Sequence, residues 1–141
     1  MTETTNNKEL RKANGDVFCE LKRSADNAFI YVNWIGIQSL ETMVMGGNQV
    51  LTMLREESCL AILNSNRELI GPWEIAVNWM AYKWAPQAKA LGTLYFAHVL
   101  SHGIFGKRSF EKLKPEMEKH FEVKSFEDEA VAEKWIRLKL S

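Results

Sequence analysis

The stretch LNSNRELIGPW, Leu63 to Trp73, decides how the middle of the chain is read. It follows a short apolar run, Cys59-Leu60-Ala61-Ile62-Leu63, and leads into a segment crowded with tryptophan. The run has the length of a strand and is apolar on both faces, as an inner strand would be. Pro72 suits the first turn of a helix, where its missing N–H is no loss. Between them, Asn64-Ser65-Asn66-Arg67 reads as a polar loop. Strand, loop and helix in that order belong to an alternating α/β chain.

Toward the N-terminus, Val17, Cys19 and Leu21 alternate with polar neighbours, and Ala28 to Ile35 (AFIYVNWI) is rich in β-branched and aromatic residues. The turn Ala25-Asp26-Asn27 joins the two as an antiparallel hairpin. Ser39 then stands as an N-cap, with Glu41 placed for the helix dipole. Leu40, Met43, Val44, Gly47, Leu51 and Leu54 recur at helical spacing. Gly46-Gly47 inside that helix costs on the order of 1 kcal/mol per glycine. Close approach of another element is favoured over a break as its explanation.

Beyond the tryptophan segment, whose helix reaches at least Trp84 with Pro86 ending or kinking it, Thr93 to Leu100 reads as a fourth strand. Ser109 to His120 reads as a helix despite Pro115, and Phe121 to Phe126 as a fifth strand. Ser125 and Asp128 form a capping-box pattern that opens a last helix, with Val131, Trp135 and Leu138 on one face. The order β-β-α-β-α-β-α-β-α predicts an α/β fold with a mixed four- to five-stranded sheet flanked by helices. Residues 1–13 read as a flexible lead and 14–141 as one domain.

Eighteen basic residues balance eighteen acidic ones in 141, so there is no electrostatic case for nucleic acid. Cys19 and Cys59 read as buried free thiols. The polar start is not a signal peptide, and no run of eighteen apolar residues provides a membrane span, so a cytoplasmic location is expected. His98 and His102 are four apart on a strand and its exit, a spacing that does not bring two ligands together, and no third ligand is evident, so no metal is expected. No nucleophile elbow, phosphate loop or dinucleotide fingerprint occurs. Glu74 and the run Glu127-Asp128-Glu129 serve helix starts. No cofactor and no catalytic residue is assigned.

Five tryptophans, Trp34, Trp73, Trp79, Trp84 and Trp135, are many for this length. At about 100° per residue, Trp73, Ala76, Val77, Met80 and Trp84 share one stripe of the helix. Ile75, Trp79 and Tyr82 fall on the opposite side. This second face has three readings: further core, the interface of a homodimer, or the lining of a ligand pocket.

The chain resembles the SpoIIAA-like (STAS-like) family of small bacterial proteins, which is related to STAS and CRAL-TRIO domains. The matching stretches are YVNWIGIQSLE (31–41), LAILNSNRELIGPWEIAVNWMAYKWAPQAKALG (60–92), YFAHVLS (95–101) and FEVKSFEDEAVAEKWI (121–136). The resemblance implies a STAS-like sheet with flanking helices. In STAS anti-anti-sigma factors a phosphorylated serine lies just after a central strand, at the start of the next helix. Ser65 occupies roughly that place, although the usual Asp-Ser-Ser/Ala-Gly run is missing.

The function expected is a non-enzymatic binding or regulatory module acting through a protein partner, as a homodimer. Asn64, Ser65, Asn66, Arg67 and Trp73 are its candidate contact residues, with Ile75, Trp79 and Tyr82 as interface or pocket. The alternative is a carrier for a small apolar or lipid-like ligand, with tryptophans and Met80 around it and Arg67 on an acidic head group. A weaker alternative is a phosphorylation switch at Ser65. For Asn64 to Arg67 themselves, a self-bonded turn and a ligand grip at the mouth of the sheet both stand.

Overall fold

A computed structural model describes residues 4–141. Six strands form one sheet whose spatial order is the chain order: β1 (Thr4–Arg11), β2 (Val17–Ser24), β3 (Ile30–Ile37), β4 (Ala61–Ile70), β5 (Tyr95–Val99) and β6 (Glu122–Phe126). β1, β2 and β3 are antiparallel, and β3 to β6 run parallel. The expected hairpin is β2–β3. The sheet is wider than the four or five strands expected, because residues assigned to a flexible lead supply β1; residues 1–3 of that lead lie outside the described residues.

Three helices cross over between parallel strands: α1 (Leu40–Glu56), α2 (residues 74–90) and α3 (Ile104–Met117). Each crossover joins neighbouring strands in the same direction, so the right-handed rule puts all three on one face. The larger core lies there, combining Ile62 and Phe96 of the sheet with Val50, Trp84 and Phe110 of the helices. α4 (Glu129–Leu140) follows the last strand and covers the other face, where Ala132 and Ile136 meet Leu63, Ala97 and Val99. Val131 and Leu138, expected to share one face with Trp135, are exposed; the small residue Ala132 takes the inward position and lets α4 lie close to β5. Tyr31 ties β3 to this helix by donating to Glu129 at 2.6 Å. The helix α3 begins at Ile104, before the expected Ser109, so the loop after β5 is short.

Ser39 caps α1 by accepting from the Thr42 amide, and the Thr42 hydroxyl accepts from the Ser39 amide in return. The glycine pair then does what close packing requires. A β-carbon on Gly46 would run into the Trp34 ring; one on Gly47 would stand 2.6 Å from Trp79 Cζ3 and 3.1 Å from Trp84 Cδ1. The Trp84 indole also donates to the Gly47 carbonyl at 2.9 Å.

That both Trp79 and Trp84 reach Gly47 is not what an α-helix allows. Five residues at about 100° each leave them roughly 140° apart. The helix is composite: a 3₁₀ turn at Glu74–Ala76, α-helix at Val77–Trp79, a π turn at Met80–Trp84 and α-helix again at Ala85–Ala90. The π turn bonds the Ala85 amide to the Met80 carbonyl and takes up one extra residue. It brings the two indoles to within roughly 40° of one face. Pro86 supplies the reason. It has no N–H to give the Tyr82 carbonyl, and its ring would clash there in a regular helix. So Trp79 is half-buried against α1, while Ile75 and Tyr82, expected to share its face, remain exposed.

Gly47→Ala gains about 1 kcal/mol of helix propensity but drives a methyl into two indoles, a clash of about 1–3 kcal/mol or more. Chemical denaturation is expected to show a net loss of stability for Gly47→Ala and for Gly46→Ala. A gain in either would mean that the indoles can retreat.

Candidate functional site

The segment Asn64 to Arg67, expected as a loop, lies inside β4, which runs on to Ile70. Each of its polar side chains has a place in the sheet. Asn64 bridges two strands: its Oδ1 accepts from Trp34 Nε1 at 2.8 Å, and its amide nitrogen lies 3.1 Å from His98 Nδ1. The first bond fixes the amide's orientation, so Nδ1 accepts and the His98 proton sits on Nε2. His98 is fully buried and stacked on Phe110 at 3.6 Å between centroids. Burial pushes its pKa down to about 3, so the ring is neutral at pH 7.

Ser65 pairs in register with Asn33 on one side and Val99 on the other, and it has no exposed surface. The expected position at a helix start is therefore corrected: Ser65 sits in a central strand, and the next helical turn begins at Glu74. Its hydroxyl accepts from the Arg67 amide at 3.3 Å. This bond belongs to a bulge, in which Asn66 and Arg67 together oppose Trp34. Asn66 is buried at the bulge, with no protein acceptor for its amide nitrogen. Past the bulge, Glu68 accepts from Asn33 at 2.7 Å, Leu69 is buried and Ile70 is exposed.

Pairing of β4 with β5 ends at Ser65, whereas pairing with β3 continues to Ile70. The overhanging Arg67 turns across the strand ends. Its Nε donates to His102 Nε2 at 3.1 Å and its Nη1 to the Glu127 carbonyl at 2.8 Å. The helices after β5 and β6 leave to opposite faces, and an open α/β sheet offers a ligand crevice at such a split. Here Arg67 spans it, with its Nε and Nη1 already engaged. After Gly71, whose φ of +80° turns the chain, Trp73 is buried with its amide donating to Ser109 Oγ.

The arrangement thus separates the sequence-derived site residues. Ser65, Asn66 and Trp73 are interior, Asn64 and Arg67 are half-buried, and Ile75 and Tyr82 are on the surface. What periodicity did not reveal is an apolar rim at the C-terminal ends of the parallel strands. Ile37 and Ile70 are register partners, exposed at 66% and 61%. Ile104 and Phe105, both 56% exposed, open α3 beside them, because Gly106 is packed on Ser101 and stands near the Gly71 carbonyl. Next to Ile37 a groove of about 480 Å³ opens between the β1–β2 turn and α1, lined by Arg11, Lys12, Phe18, Glu41 and Met45. Only the isolated "IF" of Ile104-Phe105 and the paired isoleucines at two strand ends could have signalled this in the sequence.

Among the described residues no group of His, Cys, Asp or Glu could hold a metal ion, and no helix is long and apolar enough to cross a membrane.

The architecture is that of a SpoIIAA-like, STAS-type fold. Among solved structures the chain matches the anti-sigma factor antagonist SpoIIAA in its unphosphorylated form, with a TM-score of 0.58 and 10% identity over 87% of this chain and 97% of that one. No protein-family model matches the chain, and no curated protein matches it significantly.

Two outcomes follow from the strand interior. The unfolded histidine takes up a proton near pH 6.5 and folded His98 near 3, so stability is full above that window and falls as pH drops through it. The slope approaches about 1.4 kcal/mol per pH unit near pH 5, and urea titrations at several pH values should show it vanish in His98→Gln. Ser65→Asp places an unpaired charge in a central strand and should cost about 3 kcal/mol or more. A folded, equally stable variant would show that the site opens.

Proposed function

We propose that this protein is a SpoIIAA-like regulatory module that acts by docking a protein partner on the rim formed by Ile37, Ile70, Ile104 and Phe105. The observation that carries the reading is the rim itself: four large apolar side chains, each more than half exposed, on two strands paired in register and on the start of the helix packed beside them at Gly106. Clustered exposure of this kind marks interaction surfaces, whereas scattered exposed residues do not. SpoIIAA, whose fold the chain shares, is described as an anti-sigma factor antagonist.

The packing of the tryptophans favours this reading over the carrier. Trp84 fits against Phe96, Phe121 and Gly47; Trp34 against Gly46; and Trp79 against Gly47. Arg67 is committed to His102 and Glu127. A homodimer through α2 retains Ile75 and Tyr82 as its exposed apolar contacts, a smaller surface than the rim.

The test is affinity capture with wild-type protein and with the Ile70→Asp/Phe105→Asp double variant, after circular dichroism confirms that both are folded. A partner retained by wild type should be lost from the variant. Undiminished capture by the variant would remove the rim from the function.

A further inference from the structure

We infer that Glu20, Glu68 and Asn33 form a binding site for a hard divalent cation on the face of the sheet that carries α4. Among the described residues no three carboxylates, imidazoles or thiols converge on one point. Here the third ligand is an amide oxygen, a donor that hard cations take alongside carboxylates and water. Asn33 on β3 stands in register with Glu20 on β2. Its single nitrogen Nδ2 donates to two carboxylates, Glu20 Oε1 at 3.0 Å and Glu68 Oε2 at 2.7 Å. Neither carboxylate belongs to an ion pair of the described residues. Two like charges are thus gathered on one neutral group. The bulge in β4 gathers them. Continued in step from the Asn33–Ser65 pair, β4 would set Arg67 opposite Ile35, diagonal to Asn33 and in reach of Glu20. The extra residue puts Glu68 in that place and sends Arg67 to the strand ends.

The other end of the amide is the independent sign. Asn33 is 2% exposed, and its Oδ1 is buried without a protein donor. Turning the amide over therefore forfeits no hydrogen bond at that end. At the carboxylate end it would set an oxygen 2.7 and 3.0 Å from two others. Three oxygens so placed repel one another unless a cation joins them, and adjacent ligands of an octahedral ion with bonds of about 2.1 Å stand about 3.0 Å apart. Glu20 is half-buried and Glu68 exposed, so water can complete the coordination. The charged neighbours on this face are largely committed. Glu9, opposite Glu20 on β1, is paired with Arg11; Glu129 accepts from Tyr31; Glu133 is paired with Arg137. Lys8 is the register partner of the core residue Leu21, on the other face. Lys22 stands over the Tyr31 ring, 5.7 Å from its centroid, and makes no ion pair with Glu20 or Glu68.

The deciding experiment titrates nitrogen-labelled protein with calcium chloride and, separately, magnesium chloride at constant ionic strength, and follows the side-chain amide resonances of Asn33. With at least one of the two ions, saturable shifts centred on Asn33, Glu20 and Glu68 are expected, half complete between about 0.1 and 1 mM. Glu20→Gln and Glu68→Gln each keep an acceptor for Asn33 Nδ2, so the fold should hold, and each should weaken binding about tenfold or more. Glu118→Gln, at the end of α3, should bind as wild type does. Manganese should broaden Asn33 and Glu20 well before Leu113, which is buried in α3. Lys22→Met, which removes a competing positive charge, should bind more tightly than wild type. Three results would overturn the site: no saturable shift at Asn33 by about 10 mM of either ion, undiminished binding by the Glu20→Gln/Glu68→Gln double variant, or binding that appears only in Lys22→Met. The last would make Lys22 the counter-ion of the two carboxylates.

Discussion

The close approach of α1 to the indoles of Trp34, Trp79 and Trp84 sets the depth of the larger core. Gly46 and Gly47 give α1 a notch with no side chain, and three large rings fill it. The helix stands nearer to the sheet and to α2 than ordinary side chains permit. The penalty of two glycines in a helix interior is outweighed by burying indoles, each worth a few kcal/mol of apolar surface. The Trp84 bond to the Gly47 carbonyl fixes rotation as well as distance. With α1 seated, the start of α1 and the end of β3 are fixed relative to each other, which places Ile37 and the groove beside it.

A second constraint acts through the sheet. The row Trp34, Asn64, His98 joins three neighbouring strands with side-chain bonds on one face of the sheet, and Asn33 holds Glu20 and Glu68 on the other face. In low dielectric such bonds are strong when complete and costly when broken, so they define one register for β4. The bulge at Asn66 and Arg67 follows from that register. It releases Arg67 toward the ends of β5 and β6 and lets β4 run five residues past its pairing with β5. The overhang carries Ile70 to the rim.

Much of the fold was legible because apolar periodicity is a direct image of burial. The β2–β3 hairpin, α1 with its Ser39 cap and the apolar start of β4 stand where spacing and capping residues put them, whereas the last helix is capped by Asp128 and not by Ser125, which lies in β6. The misreadings have definite causes. Asn-Ser-Asn-Arg has the composition of a turn, and only cross-strand partners from Trp34, Asn33 and His98 make it strand; those partners are 30 or more residues away and invisible to local pattern. Thr4 to Arg11 lacks an apolar alternation, yet as an edge strand it needs only one neighbour and tolerates polar side chains and bulges. The rim was hidden because its members come from three segments, and no segment alone is unusual.

The π turn in α2 carries a consequence for descent. An α-helix with one residue added is forced into such a turn when both of its flanks must keep their old contacts. On one flank Trp79 keeps its seat on Gly47; on the other, Trp84 meets Phe96 and Ala88 remains in the core. The number of residues between the two tryptophans is therefore heritable information apart from their identity. A lineage that lost one residue between them would keep the fit with a regular α-helix, since four residues at about 100° each also leave the two indoles roughly 40° apart. Drift in letters is thus open at the exposed positions Tyr82 and Lys83, and drift in length is open only by the single residue that the π turn takes up.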